Sequence, residues 1–136
     1  MNAKTIGYWV TTGLLSLAML GSSFGYLSGA MDEAMIEHLG YPAHFVTLLG
    51  AWKGLVAPAL LAPGFARIKD LCYAGLFFTL TGAAWAHIAV GDGPGEIGAP
   101  LFMLALAAVS FALFREVRGL QGAEARGGVA SPVPAA

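Results

Sequence analysis

Charge is scarce in this chain, and cysteine scarcer still. Only 11% of the 136 residues are Asp, Glu, Lys or Arg, against roughly 25% in an ordinary soluble domain. So few charges would not keep a compact globule solvated in water, but they suit a chain whose solvent is mostly lipid. Cys72 is the only cysteine, which excludes an internal disulfide, a CxxC redox pair and a cysteine-rich metal site. The formal net charge is −1, so nothing electrostatic argues for nucleic acid as a partner. A hydrolase nucleophile elbow, a phosphate-binding loop, a dinucleotide fingerprint and a zinc-protease helix are also missing. The glycine-rich GDGPGE has no strand before it and no lysine near enough to serve phosphate.

What the chain has instead is apolar length. Hydrophobic residues make up 57% and the mean hydropathy is +0.72. Four apolar runs, at about 5–28, 43–62, 71–90 and 97–114, each approach the roughly 20 residues that cross about 30 Å of hydrocarbon. They are continuous rather than alternating, which excludes barrel strands of about 10 residues. The expected fold is all-α: an integral membrane four-helix bundle, with residues 1–118 as one domain and the lipid bilayer as its first partner. The 19 glycines then read as close helix packing. Pro58 should kink the second helix and free a carbonyl near Gly54, while Pro100 falls in the opening turn of the fourth. The tail GLQGAEARGGVASPVPAA, residues 119–136, is small and polar enough to be disordered. Reading the N-terminus as a cleaved leader fits less well, since the apolar run is long, carries Tyr8, Trp9 and Phe24, and lacks an A-x-A site.

Charge placement suggests an orientation. Lys4, Arg67, Lys69, Arg115, Arg118 and Arg126 fall on one side of a four-pass arrangement, with Asp32, Glu33, Glu37, Asp92 and Glu96 in the opposite loops. Positive residues stay inside, so both termini and the second loop are expected in the cytoplasm. Tyr8, Trp9 and Tyr73 would then form an inner aromatic belt, and Tyr26 and Tyr41 an outer one.

Lys53 is the most informative residue. It lies about ten residues into the second run, roughly 15 Å deep at about 1.5 Å per residue. A lysine there costs a few kcal/mol to insert, so it should face the bundle interior and find a partner. Gly50, Gly54 and Ala57 share its face at helical spacing and would let another helix approach. His87 sits about one turn before the end of the third run, with Asp92 where the helix stops. It could carry protons, donate to a carbonyl ligand, or be satisfied by a loop. Thr81 is expected at the depth of Lys53, and Trp52 and Trp85 lie deeper than belt residues should, where they could flank a flat ligand. In the first outer loop Met31, Met35 and Leu39 recur every four residues, pointing to a short amphipathic helix with Asp32 capping its start. Glu37, His38 and His44 lie near the bundle mouth. Glu37 and His38 are adjacent and share no helix face, so no metal site is assigned. Lys53 at mid-depth, His87 above it and Glu37 above both suggest a cavity opening outward under residues 31–39.

In order, the stretches YWVTTGLLSLAMLGSSFGYLSG, HLGYPAHFVTLLGAWKGLVAPALLAPGFARIKDLCYAG and LTGAAWAHIAVGD, with FMLALAAVSFALF as a weaker last helix, resemble the DoxX-like family of small bacterial four-helix membrane proteins. The resemblance runs from Tyr8 to Arg115. It implies a four-helix bundle in the inner membrane and a neighbourhood of thiosulfate:quinone oxidoreduction or thiol and oxidative-stress handling, without assigning catalytic residues. The leading expectation is a protein that binds a small quinone-like amphiphile, with no intrinsic cofactor and a redox partner protein or a second copy beside it. The expected ligand-binding set is Lys53, His87, Trp52, Trp85, Thr81, Glu37 and Asp92. The alternatives are a non-enzymatic assembly subunit in which Lys53 pairs with a partner's acid, and a small transporter, disfavoured by the lack of an inverted repeat.

Overall fold

The structure is a computed structural model and describes residues 1–129. Among these, four helices are long and apolar enough to cross a membrane: α1 (Ala3–Leu27), α2 (Ala43–Leu61), α3 (Ala66–Val90) and α4 (Pro94–Val129). Asn2 starts α1, its side-chain oxygen accepting from the Thr5 N–H at 2.9 Å, the usual N-cap bond. Helix α2 continues through Pro58, whose missing N–H leaves the Gly54 carbonyl without that donor. Helix α3 ends in a Schellman turn. Gly91 adopts φ +81°, and the Asp92 and Gly91 amides donate to the His87 and Ile88 carbonyls.

The packing follows α1. It lies along both α2 and α4, α4 lies along α3, and α2 and α3 scarcely touch. The core consists of one face of α1 (Tyr8, Leu15, Met19) with Ala57 and Leu60 of α2, Tyr73, Leu76 and Leu80 of α3, and Ala107, Phe114 and Val117 of α4. The bundle is therefore closed on three seams and open on the fourth.

Several expectations change in detail. Helix α3 begins five residues earlier than its apolar run, because ARIKD forms a helical turn without having to be apolar. Lys69 consequently leaves the loop and becomes buried. Tyr8 and Tyr73 are not belt residues: both are buried in the core, and their hydroxyls find interior partners. Helix α4 starts at Pro94, so Pro100 falls in its second turn rather than its first. It also runs through 119–129, where a disordered tail was expected; Leu, Gln, Ala, Glu and Arg continue the helix there and no proline interrupts it. Residues 130–136 lie outside the described residues. The segment between α1 and α2 is a short π-helix, Glu33–His38, with Met35 buried. Asp32 is itself helical and makes no side-chain cap bond.

Candidate functional site

The open seam between α2 and α3 holds two cavities. The larger, about 450 Å³, is lined by Met19, Trp52, Val56, Ile68, Cys72 and Thr79 among others. The smaller, about 310 Å³, lies beneath the π-helical segment and is lined by Tyr26, Met35, Leu39, Tyr41, Phe45 and His87 among others. They share Leu49, Lys53, Thr79 and Leu80, so Lys53 stands where they meet. The expected cavity under residues 31–39 corresponds to the smaller one. The larger one, nearer the basic end, has exposed lips: Trp52 is 59% and Leu71 73% exposed. It therefore opens sideways, between helices.

Lys53 is held by α1. Its ammonium donates to Ser22 Oγ at 2.8 Å and to the Tyr26 hydroxyl at 3.1 Å, and lies 4.1 Å from the Tyr26 ring centroid. The small residues on its face allow this. A Cβ at Gly54 would come within 2.8 Å of Ser23 Oγ, and Ser23 itself donates to the Gly50 carbonyl at 2.7 Å. Close approach of α1 brings a hydroxyl and a phenol to the lysine, the partners its depth requires. An ammonium has three N–H donors. Two are used, which leaves one for a group in the cavities.

The remaining expected residues divide. Trp52 lines the larger cavity and His87 the smaller. Trp85 is 69% exposed and lines neither. Thr81 bonds its own helix, donating to the Phe77 and Phe78 carbonyls, and Thr79 faces the seam in its place. Glu37 is exposed and lines neither cavity. Asp92 is drawn into a clasp: His87 Nδ1 meets one carboxylate oxygen at 2.5 Å and His38 Nε2 the other at 2.7 Å. The Schellman turn folds Asp92 back onto His87, and His38 ties the π-helical segment to the end of α3. The His87 hydrogen bond holds the Asp92 carboxyl below the usual carboxylate range, outweighing burial, and His38 adds to it.

With this geometry the sequence match gains a structural counterpart. The family model described as the DoxX-like family matches residues 10–110. The chain belongs to the DoxX-like family. No curated protein and no solved structure matches it. In this DoxX-like protein the matched span covers most of α1, all of α2 and α3 and the first half of α4, and thus both cavities and the clasp.

Residues that sequence reasoning missed lie deeper. Tyr73 and Thr12 both hydrogen-bond Ser110, at 2.7 and 2.8 Å, joining α1, α3 and α4 through hydroxyls. Lys69 donates to the Tyr8 hydroxyl at 2.8 Å. The available signal was the four-residue spacing of Tyr8, Thr12 and Ser16 along one face of α1.

Proposed function

We propose that this DoxX-like protein is a multi-pass inner-membrane protein, with both termini cytoplasmic, that holds a quinone-like amphiphile in the α2–α3 seam as an accessory to redox or oxidative-stress metabolism. The observation that carries the reading is Lys53: an ammonium midway along α2 with one unspent N–H, standing between two largely apolar cavities, the larger of which opens sideways. A carbonyl oxygen of the ligand head would accept from Lys53, Trp52 would flank the ring, and the tail would leave along Ile68 and Leu71 into lipid. His87 spends Nδ1 on Asp92 and keeps Nε2 for the far end of the head. One cysteine cannot form a dithiol, so electron transfer to such a ligand belongs to a partner protein. The orientation is supported by the basic residues gathering at the end that holds Lys4 and Arg118.

Mass spectrometry of the protein purified in mild detergent tests this. Wild type should retain a ring-bearing amphiphile. Lys53→Met, which keeps the volume and removes the donor, should fold and recover about tenfold less, since a hydrogen bond to a charged group is worth roughly 1.5–3 kcal/mol. Equal recovery from both proteins defeats the reading. A second reading, an assembly subunit, is favoured by the exposed lips of the larger cavity, where a partner's helix could lie. It would appear as a stoichiometric protein partner lost in Lys53→Met, with no amphiphile in wild type. For orientation, cysteines at Gly93 and Gly122 in a Cys72→Ser background should label from opposite faces of the membrane, Gly93 from outside.

A further inference from the structure

Lys69 is the charged group that the seam does not use. It is 4% exposed, and its ammonium lies 5.4 to 5.7 Å from the ring centroids of Tyr8, Trp9 and Phe114. Among the described residues no carboxylate pairs with it: at this end Asp70 is bound to Arg118 at 3.0 Å and Glu116 to Lys4. A buried ammonium costs several kcal/mol without a counter-charge. One phenol oxygen and three ring faces offset only part of that.

Beside it lies a cavity of about 230 Å³, lined by Thr5, Tyr8, Trp9, Lys69, Arg118 and Gln121 among others. Both charged side chains in the lining are cations. Phe65 and Ala66 also line it, so the uncapped first turn of α3 turns its positive dipole end toward the same space. The cavity lies at the start of α3, with Lys69 one turn inside the helix, at the end of the bundle that gathers Lys4, Arg67 and Arg115.

We propose that this cavity binds a phosphate-type oxyanion, with Lys69 as its buried counter-charge and Arg118, Thr5 and Gln121 as rim donors. A lysine meets phosphate as a point charge, and the guanidinium beside it supplies directed N–H groups. The anion would be either the headgroup phosphate of a phospholipid at this membrane surface or a free phosphate from the water phase. The site shares no residue with the Lys53 cavities, and neither reading depends on the other.

Calorimetric titration of the full chain in a non-ionic detergent decides the matter, with dihexanoyl phosphatidylglycerol and inorganic phosphate as separate probes. At least one probe should bind wild type saturably. Lys69→Met should weaken it about tenfold or more, from the loss of one charge-assisted bond, while Lys69→Arg should stay within a few-fold. Saturation by the lipid alone identifies a headgroup site. Saturation by phosphate as well, with displacement of the lipid, identifies a free-anion site. No saturable binding of either probe to wild type overturns the proposal without recourse to any variant, as does equal affinity in Lys69→Met.

Discussion

Helix α2 has two sides, and glycine does opposite work on them. Toward α1, a Cβ at Gly50 would lie 3.0 Å from both Leu27 Cγ and Tyr26 Cβ, and at Gly54 2.8 Å from Ser23 Oγ. Across the other seam, Gly75 and Gly82 of α3 line the two cavities, and a Cβ at either would meet nothing within 4 Å. In the first case glycine removes an obstacle between helices; in the second it leaves space. An abundance of glycine in lipid-facing helices therefore does not by itself mean close packing, because the neighbour decides which effect operates.

Large side chains at the two positions should separate the effects most widely. Gly54→Leu must push α1 away from α2, and overpacking of this kind costs about 1–3 kcal/mol, occasionally more. It also pulls Ser22 and Tyr26 off Lys53. Gly75→Leu fills open space and replaces a poor helix former, so stability should hold or rise by up to about 1 kcal/mol, while amphiphile recovery falls. Reversible unfolding in mixed micelles, alongside lipid mass spectrometry, measures both. Equal destabilisation by the two substitutions would mean that the α2–α3 seam closes in the membrane.

The two lysines extend the comparison. Lys53 is half-buried and has two hydroxyl partners, whereas Lys69 is buried and has one. Tyr8→Phe leaves a buried ammonium with ring faces alone and should cost about 1.5–3 kcal/mol, the range for a hydrogen bond to a charged group. Tyr26→Phe leaves Ser22 in place and keeps the ring under the ammonium, so its cost should stay under about 1 kcal/mol. Similar losses in both variants would show that Lys69 has a second acceptor, as the oxyanion proposal requires of the ligand-bound protein; removing phosphate and phospholipid should then restore the difference.

The same lysines show what could be read from sequence. Lys53 was legible because an apolar run surrounds it, and burial there forces a partner. Its partners were not, since periodicity places it on a face of α2 without saying which helix that face meets. Lys69 was misread because a cation beyond the end of an apolar run looks like a loop residue. A helix can begin before its apolar run does, and α3 begins with ARIKD. The four spans were legible for a similar reason: bilayer thickness sets their length, whereas nothing comparable sets where α4 stops. The near half of the clasp was written in HIAVGD, where a left-handed glycine returns the next side chain onto the histidine. The far half, His38 to Asp92, spans 54 positions and left no local trace.

That clasp supports the smallest prediction, and the one that tests whether the covered end of the seam is tied or merely near. The hydrogen bond from His87, with help from His38, lowers the Asp92 pKa in the folded protein. A depressed folded value means that the unfolded chain binds the proton more readily. The clasp's contribution is therefore complete above the unfolded carboxylate range, near pH 4, and is lost as pH falls through the folded value below it. Stability referred to Asp92→Asn should be independent of pH from about 5 upward as far as this carboxylate is concerned, and the advantage of wild type should shrink only below about pH 4. Hydrogen exchange at Met35 and Leu39, whose segment the clasp ties down, should quicken in Asp92→Asn at neutral pH while exchange in the core of α1 is unchanged. If the Met35 and Leu39 amides exchange alike in both proteins, the cover over the smaller cavity is held by the burial of Met35 and not by the carboxylate.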